Sequence, residues 1–306
     1  MEVKTVLFRR NFQSFQGGHL KVFDYINHVN SLPGFCARLY VNDGSVPHEI
    51  WTSHPSLVDS YEPEQADALF LAGDDWQALS EYPGIELRKL VINLIQGFRH
   101  FVPGSFLFSY LSRKAVRICV SEELTTELHS TNEAQGPVYA IPNCIDHSLL
   151  PDSSQSDPAK VLIVGIKQPV LAAQLANSLL SRHINVECAI DPLSRAEFLA
   201  KMNESSIIVA LPFEMEGFYL PALEAMAMGK ALVCPDCLGN RSFCHDKINC
   251  LMPSRHLESI EATVLRLLAN PALTRQLQEQ AFIDSQSYRI DKERERFTQV
   301  LMSCQA

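Results

Sequence analysis

The sequence predicts an α/β protein of two domains, each built on a parallel sheet. Three observations carry that expectation. Short apolar runs of strand length alternate with amphipathic, helix-like segments along the chain. A polar, turn-rich stretch, Pro151-Asp-Ser-Ser-Gln-Ser-Asp-Pro158, interrupts the alternation near the middle and reads as a linker. The length, 306 residues, suits two α/β units of ordinary size better than one small core.

Taken in order, Val3 to Phe8 is the opening strand. Gly17-Gly18 follows, and His19 to Val29 has helical spacing through Leu20, Phe23, Ile26 and Val29. Ala37 to Val41, Ala68 to Ala72, Leu90 to Ile95 and Ala115 to Val120 are further strands. Ser121 reads as the N-cap of a helix whose first turn holds Glu122 and Glu123. Val138 to Ile141 is a short strand stopped by Pro142. After the linker, Lys160 to Gly165, Asn185 to Ile190, Ile207 to Leu211 and Ala231 to Cys234 read as strands. Gln174 to Leu180, Arg195 to Met202, Leu220 to Met228, Leu257 to Ala269, Pro271 to Ser285 and Ile290 to Met302 read as helices. The expected division is 1–157 for the first domain and 158–287 for the second. A ligand in such open parallel sheets is expected at the carboxyl ends of the strands, in a cleft between the domains.

Composition narrows the function. Lys and Arg total 26 against 35 Asp and Glu, a net charge of −9, which argues against a sequence-independent grip on nucleic acid. The local run Arg113-Lys114-Ala115-Val116-Arg117 reads as an exposed face flanking a strand. No apolar run is long enough to span a bilayer, and the N-terminal residues lack the apolar region of a signal peptide, so a cytoplasmic location is expected. Contact with the inner membrane face stays open. Nine scattered cysteines fit free thiols; Cys234 and Cys237 have C-x-x-C spacing, but Cys244 and Cys250 stand too far apart for a regular zinc pattern. Gly73-Asp74-Asp75-Trp76 resembles a metal-binding acidic pair, yet one pair alone reads as an end-of-strand turn.

The most informative stretch runs Glu216-Gly217-Phe218-Tyr219-Leu220-Pro221-Ala222-Leu223-Glu224-Ala225-Met226-Ala227-Met228-Gly229. A strand precedes it, Pro221 suits a first helical turn and Gly229 a helix C-terminus. Backbone N–H groups from Gly217 to Leu220 would form an anion site suited to a diphosphate. A carboxylate beside such a site suits the vicinal hydroxyls of a sugar, because it accepts two O–H donors.

This segment resembles the donor-binding signature of family 4 retaining glycosyltransferases of the GT-B fold, in which two glutamates enclose seven residues. Other segments resemble the same family: Phe12 to His19 its Gly-rich loop, Ile118 to Ser121 its Ser-capped helix start, Ile141-Pro142-Asn143-Cys144-Ile145-Asp146 the element closing the first domain, and Asn249 a later loop position. The resemblance implies two Rossmann-like domains facing across a cleft, with a C-terminal helix, 288–306, crossing back to the first. It further implies sugar transfer from a nucleoside diphosphate sugar with retention, and no cofactor or metal. Glu224 would hold the nucleotide ribose. Glu216, with the amides of Gly217 and Phe218, would hold the sugar, and Tyr219 and Leu220 would complete the donor site. Gly17, Gly18 and Lys167 would face the diphosphate, with Gly165 and Asn143 also on the donor side. Glu216, Gln96 and His100 are the catalytic candidates; Arg99 and His19 are candidates for phosphate or acceptor contact. His100 reads equally as a surface loop histidine. The acceptor would be a glycan, a lipid-linked sugar or a small molecule.

Two departures keep other readings open. Ile166 stands where the family often has Arg, and Gln96 where it often has His. A nucleotide-sugar-binding homologue or partner subunit with weakened catalysis is one alternative. A sugar-nucleotide epimerase of the same fold is another; a phosphorylase lacks a convincing pyridoxal phosphate site.

Overall fold

The structure, a computed structural model, describes residues 3–13, 17–151 and 157–304. The chain divides into two compact units, 1–143 with 293–306, and 144–292. The division falls earlier than the expected linker, of which residues 152–156 lie outside the described residues. The reason is local: Ile145 exchanges backbone hydrogen bonds with the segment ahead of the last helix, from its N–H to Tyr288 O (3.0 Å) and to its O from Ile290 N–H (2.9 Å). Ile145 thereby becomes part of the second unit.

The first unit contains β1 (Lys4–Arg10), α1 (Gly17–Asn30), β2 (Phe35–Val41), the short α2 (Glu49–Thr52), β3 (Ala68–Ala72), β4 (Leu90–Ile95), the short α3 (Phe106–Ser109), β5 (Val116–Cys119), α4 (Glu122–Thr131) and β6 (Val138–Ala140). Its six strands pair in the order β2-β1-β3-β4-β5-β6, all parallel. Leu7, Leu69, Leu71 and Val91 face one side, packed with Trp76, Leu79 and Ile85. The opposite face carries aromatic rings: Phe8 stacks on Phe70 at 4.6 Å, and Tyr25 of α1 lies 5.0 Å from Phe70. The period-2 alternation of a strand puts Leu7 and Phe8 on opposite layers. Ser121 caps α4 as expected, its Oγ accepting from Leu124 N–H at 3.3 Å.

The second unit contains β7 (Asp157–Val164), α5 (Pro169–Ser181), β8 (Val186–Ala189), α6 (Arg195–Glu204), β9 (Ser205–Ala210), α7 (Leu220–Ala227), β10 (Ala231–Val233), α8 (Leu257–Ala269) and α9 (Pro271–Ser285). Its sheet is parallel, in the order β10-β9-β7-β8. Val161, Ile163, Ile207 and Val209 meet Leu175 and Leu179 of α5, Val264 of α8 and Leu277 of α9 in one core. Gly165 is required by packing: a Cβ there would lie 2.1 Å from that of Ala172, so the strand end and α5 approach too closely for any side chain.

The last helix, α10 (Ile290–Ser303), belongs to the first unit from Glu293 onward. Phe297 packs against Tyr25 (4.9 Å) and Phe70 (6.2 Å), completing the aromatic layer.

Two expectations are corrected. Gly17 and Gly18 form the first turn of α1 and not a loop, while Ser14 to Gln16 lie outside the described residues. Arg117 is fully buried and not on an exposed face. Its Nη2 donates to the carbonyls of Tyr110, Leu111 and Arg113, and its guanidinium lies 5.7 Å from the Trp76 ring centre. Burial, above all, pulls its pKa down to about 10.

Among the described residues, no helix is long and apolar enough to cross a membrane. No group of three or more His, Cys, Asp or Glu side chains there is arranged to hold a metal ion. All nine cysteines are free; Cys234, Cys237, Cys244 and Cys250 are buried, and burial pushes the thiols of Cys234, Cys237 and Cys244 up.

Candidate functional site

In each sheet the first strand has its sequence successors on both sides, so the chain's direction of winding reverses there. The carboxyl ends of β1 and β3 flank that point in the first unit, and those of β7 and β9 in the second. Open α/β sheets bind ligands at such places. A cation–carboxylate pair stands at each: Arg10 Nη1 with Asp75 Oδ2, and Lys167 Nζ with Glu216 Oε2, both at 2.7 Å.

In the second unit, β9 leads into the loop 211–219 and then α7. Glu216, 8% exposed, turns back on its own loop, with Oε1 accepting from Phe213 N–H at 3.1 Å. Lys167, at the end of β7, reaches Glu216 across the strand ends and lies 5.5 Å from the Phe213 ring centre. Glu224 lies in α7, 2% exposed, with Oε1 2.7 Å from Arg195 Nη1 of α6. Between the acids in sequence, Tyr219 is buried. Burial first, then Cys234, Glu216, Cys237 and Glu224, push its phenol well above the ordinary value, so the hydroxyl stays protonated.

The expected row of bare amides is shorter than the sequence implied. Tyr219 N–H donates to Gly239 O at 2.9 Å and is consumed there. The amides of Gly217, Phe218 and Leu220 have no partner among the described residues. Phe218, Tyr219 and Leu220 all bury their side chains, so any contact with a ligand falls to backbone atoms or the phenol edge. Gly229, with φ 64°, ends α7 as expected.

Two residues that hold this loop went unread in the sequence. A Cβ on Gly239 would lie 2.8 Å from Glu216 O and 2.9 Å from Phe218 Cα, so only glycine lets the Glu216 loop lie against the turn after β10. Arg255 clamps the same loop from the other side. Its Nη1 donates to Pro212 O at 2.7 Å, and Nη2 donates to Asp236 O. The G-x-x form of the turn signals Gly239 only weakly, and nothing local marks Arg255. Asn249 is a brace for its own turn: Nδ2 donates to Phe243 O (2.9 Å) and Asp284 (2.7 Å), and Oδ1 accepts from His245 N–H (2.8 Å). Ile166, beside Lys167, is 42% exposed, an apolar side chain where the resemblance implies a second cation.

In the first unit, Gln96 Nε2 donates to Gly18 O at 3.2 Å, so Gly18, Gln96 and the start of α1 meet. His19 Nδ1 lies 3.0 Å from Arg10 Nη2. A guanidinium only donates, so Nδ1 is the acceptor and the ring is the neutral tautomer with its proton on Nε2. Burial, then the charges of Arg10 and His48, lower its pKa to about 4. Asp75 fixes Arg10 in turn and also accepts from Ala72 N–H at 2.9 Å. His100 is buried and not a surface loop residue; burial, then Arg99 and Arg117, lower its pKa to about 4. Arg99 is exposed. Asn143 is buried, and its Oδ1 has no partner among the described residues.

Comparison with known proteins bears on the second unit most directly. Residues 144–270 match the family model described as "Glycosyl transferases group 1". No curated protein matches the chain at the sequence level. Solved structures match over nearly its whole length. The Anabaena HepE protein in complex with UDP and glucose superposes with a TM-score of 0.76 at 13% identity, covering 98% of this chain and 100% of that one. A glycosyltransferase from Rickettsia africae gives 0.72 at 11%, with 98% of each chain covered. Sucrose-phosphate synthase from Thermosynechococcus elongatus gives 0.70 at 13%, covering 98% and 99%. The fold is therefore GT-B.

Proposed function

We propose that this chain, with a GT-B fold and a segment matching group 1 glycosyltransferases, transfers a sugar from a nucleoside diphosphate sugar to an acceptor hydroxyl with retention, without a metal or cofactor. One observation carries the reading. Glu216, Glu224 and the partnerless amides of Gly217, Phe218 and Leu220 belong to a single loop–helix segment at the carboxyl end of a parallel sheet, beside Lys167. A helix N-terminus with open N–H groups attracts a diphosphate, and carboxylates accept sugar and ribose hydroxyls. HepE, similar in fold, was solved with UDP and glucose.

In this reading Glu224 holds the ribose and Glu216 the transferred sugar. Lys167 releases part of its hold on Glu216 to meet the phosphate, with Gly165 allowing close approach. The anomeric carbon–phosphate oxygen bond breaks, a bond to the acceptor oxygen forms, and the acceptor proton offsets the charge released on the diphosphate. The chain's contribution is positional and electrostatic. On the first unit, Gly17, Gly18, Gln96 and His19 form the acceptor and phosphate side, with Arg99, His100 and Asn143 as further contacts. The acceptor is a glycan, a lipid-linked sugar or a small molecule, reached from the cytoplasm.

A second reading, a nucleotide-sugar-binding homologue with weakened turnover, is favoured by the exposed Ile166 and by the cation already held by each glutamate. Thermal shift with a panel of nucleoside diphosphate sugars identifies the donor, since a bound ligand raises the unfolding temperature by mass action. Donor hydrolysis and transfer are then followed in Glu216→Ala and Glu224→Ala. Loss of turnover in both supports the transferase. Near wild-type rates in both refute the site, and tight binding with no turnover on any acceptor selects the second reading.

A further inference from the structure

Arg195 occupies a place its own helix does not favour. Ser194 and Glu197 cap α6 reciprocally: Ser194 Oγ accepts from Glu197 N–H at 3.2 Å, and Glu197 Oε2 accepts from Ser194 N–H at 3.0 Å. Glu197 suits the positive end of the helix dipole. A guanidinium at the first helical position sits against that dipole and gains nothing locally. Its partner is distant: Glu224 of α7, 2.7 Å away. Arg195 follows β8 and Glu224 follows β9, and β7 runs between those strands, so the pair reaches across the carboxyl end of the sheet's first strand. Exposure grades along the pair, from 30% for the Arg195 side chain to 3% for that of Glu224.

We infer that Arg195 is a positioning residue for nucleotide recognition: it keeps the buried Glu224 carboxylate ionised and aimed, and so sets the chain's preference for a nucleotide whose ribose carries free 2′- and 3′-hydroxyls. This rests on the donor-site reading above. A buried carboxylate that loses a paired cation takes up a proton more readily or turns toward other donors, and in either state it accepts ribose hydroxyls poorly. Arg195 acts through Glu224; the hydroxyls meet the carboxylate, not the guanidinium.

The test is calorimetric titration of wild type, Arg195→Met and Arg195→Lys with UDP, ADP and GDP and with their 2′,3′-dideoxy counterparts. Wild type is expected to prefer the ribose form of the nucleotide it binds by about tenfold or more, the scale of hydrogen bonds to a charged group. Arg195→Met loses that preference by weakening the ribose form alone, and Arg195→Lys restores part of it. A merely structural role would weaken both forms together and leave their ratio intact, and that result overturns the assignment. If Arg195→Met does not fold, Arg195→Gln takes its place with the same expected loss of ratio. Wild-type protein that binds none of the three nucleotides overturns the donor-site reading, and this assignment falls with it. Wild-type binding with equal affinity for ribose and dideoxy forms overturns the assignment alone.

Discussion

Glu293, near the start of the last helix, lies between two residues of the first: its Oε2 is 2.8 Å from Lys21 Nζ and its Oε1 3.1 Å from His28 Nε2. All three side chains are at most 1% exposed. Burial alone would drive lysine and glutamate towards their neutral forms. Asp24 and Glu293 nevertheless hold the Lys21 amine above its usual range, and Lys21 and His28 hold the Glu293 carboxyl below its own. Glu293→Gln removes the carboxylate that Lys21 and His28 share and should destabilise the first unit by roughly 3–5 kcal/mol. The triple variant Lys21→Met, Asp24→Leu, Glu293→Leu should recover much of that loss, because it removes Lys21 together with both of these carboxylate partners. Both tryptophans, Trp51 and Trp76, lie in the first unit, so their fluorescence during urea unfolding reads this unit and not the other.

Gly239→Ala should disturb the Glu216 loop more than the fold. The added methyl meets backbone atoms of Glu216 and Phe218, which cannot step aside as a flexible side chain would. A stability loss of about 1–3 kcal/mol is expected from such overpacking. Nucleotide-sugar affinity should fall more steeply than the melting temperature accounts for. Equal affinity in Gly239→Ala, measured by calorimetry, would mean that the loop's place against Gly239 is immaterial to binding.

Acid should weaken the first unit through His100. Its folded pKa of about 4 lies below the ordinary 6.5, so the unfolded chain binds the proton more readily. The stability due to the neutral ring is complete above pH 6.5 and is lost as pH falls towards 4, amounting to roughly 3 kcal/mol at the low end. His100→Gln should flatten the stability curve across that window. Urea midpoints at pH 4.5 and 7.5, followed by tryptophan fluorescence, provide the measurement.

His19 should show an unprotonated Nδ1 and a protonated Nε2 in nitrogen-15 spectra of histidine-labelled protein, with no titration down to about pH 5. Arg10→Met should release the ring to titrate nearer the ordinary histidine value, since it removes both a hydrogen-bond donor and a repelling charge. A wild-type ring titrating near pH 6.5 would contradict the Arg10 contact.

The helices were the most legible part of this sequence. Leu257–Ala269 and Pro271–Ser285 agree with their expected ends, because Asn270 and Pro271 supply both a stop and a start. Strands lay within a few residues of expectation, though β7 begins at Asp157, inside the stretch read as linker. The 3₁₀ turns after β3, Gly73–Glu81, gave no periodic signal. The strand, loop and helix that hold Glu216 and Glu224 were readable from spacing and context. Arg195, Gly239 and Arg255 were not, because each matters through contacts with residues far from it in sequence. The consumed Tyr219 amide was hidden for the same reason: its acceptor, Gly239 O, belongs to a different turn.

The closure of the first unit by α10 has a consequence for synthesis on the ribosome. Tyr25, His28 and Phe70 emerge early, but Glu293, which receives His28, is translated 265 positions later. Until then the nascent lobe carries a bare aromatic face and Lys21 lacks its Glu293 contact, while the second lobe has all its own strands. The lobe made first is therefore the lobe finished last, and in that interval it is the natural client for a chaperone.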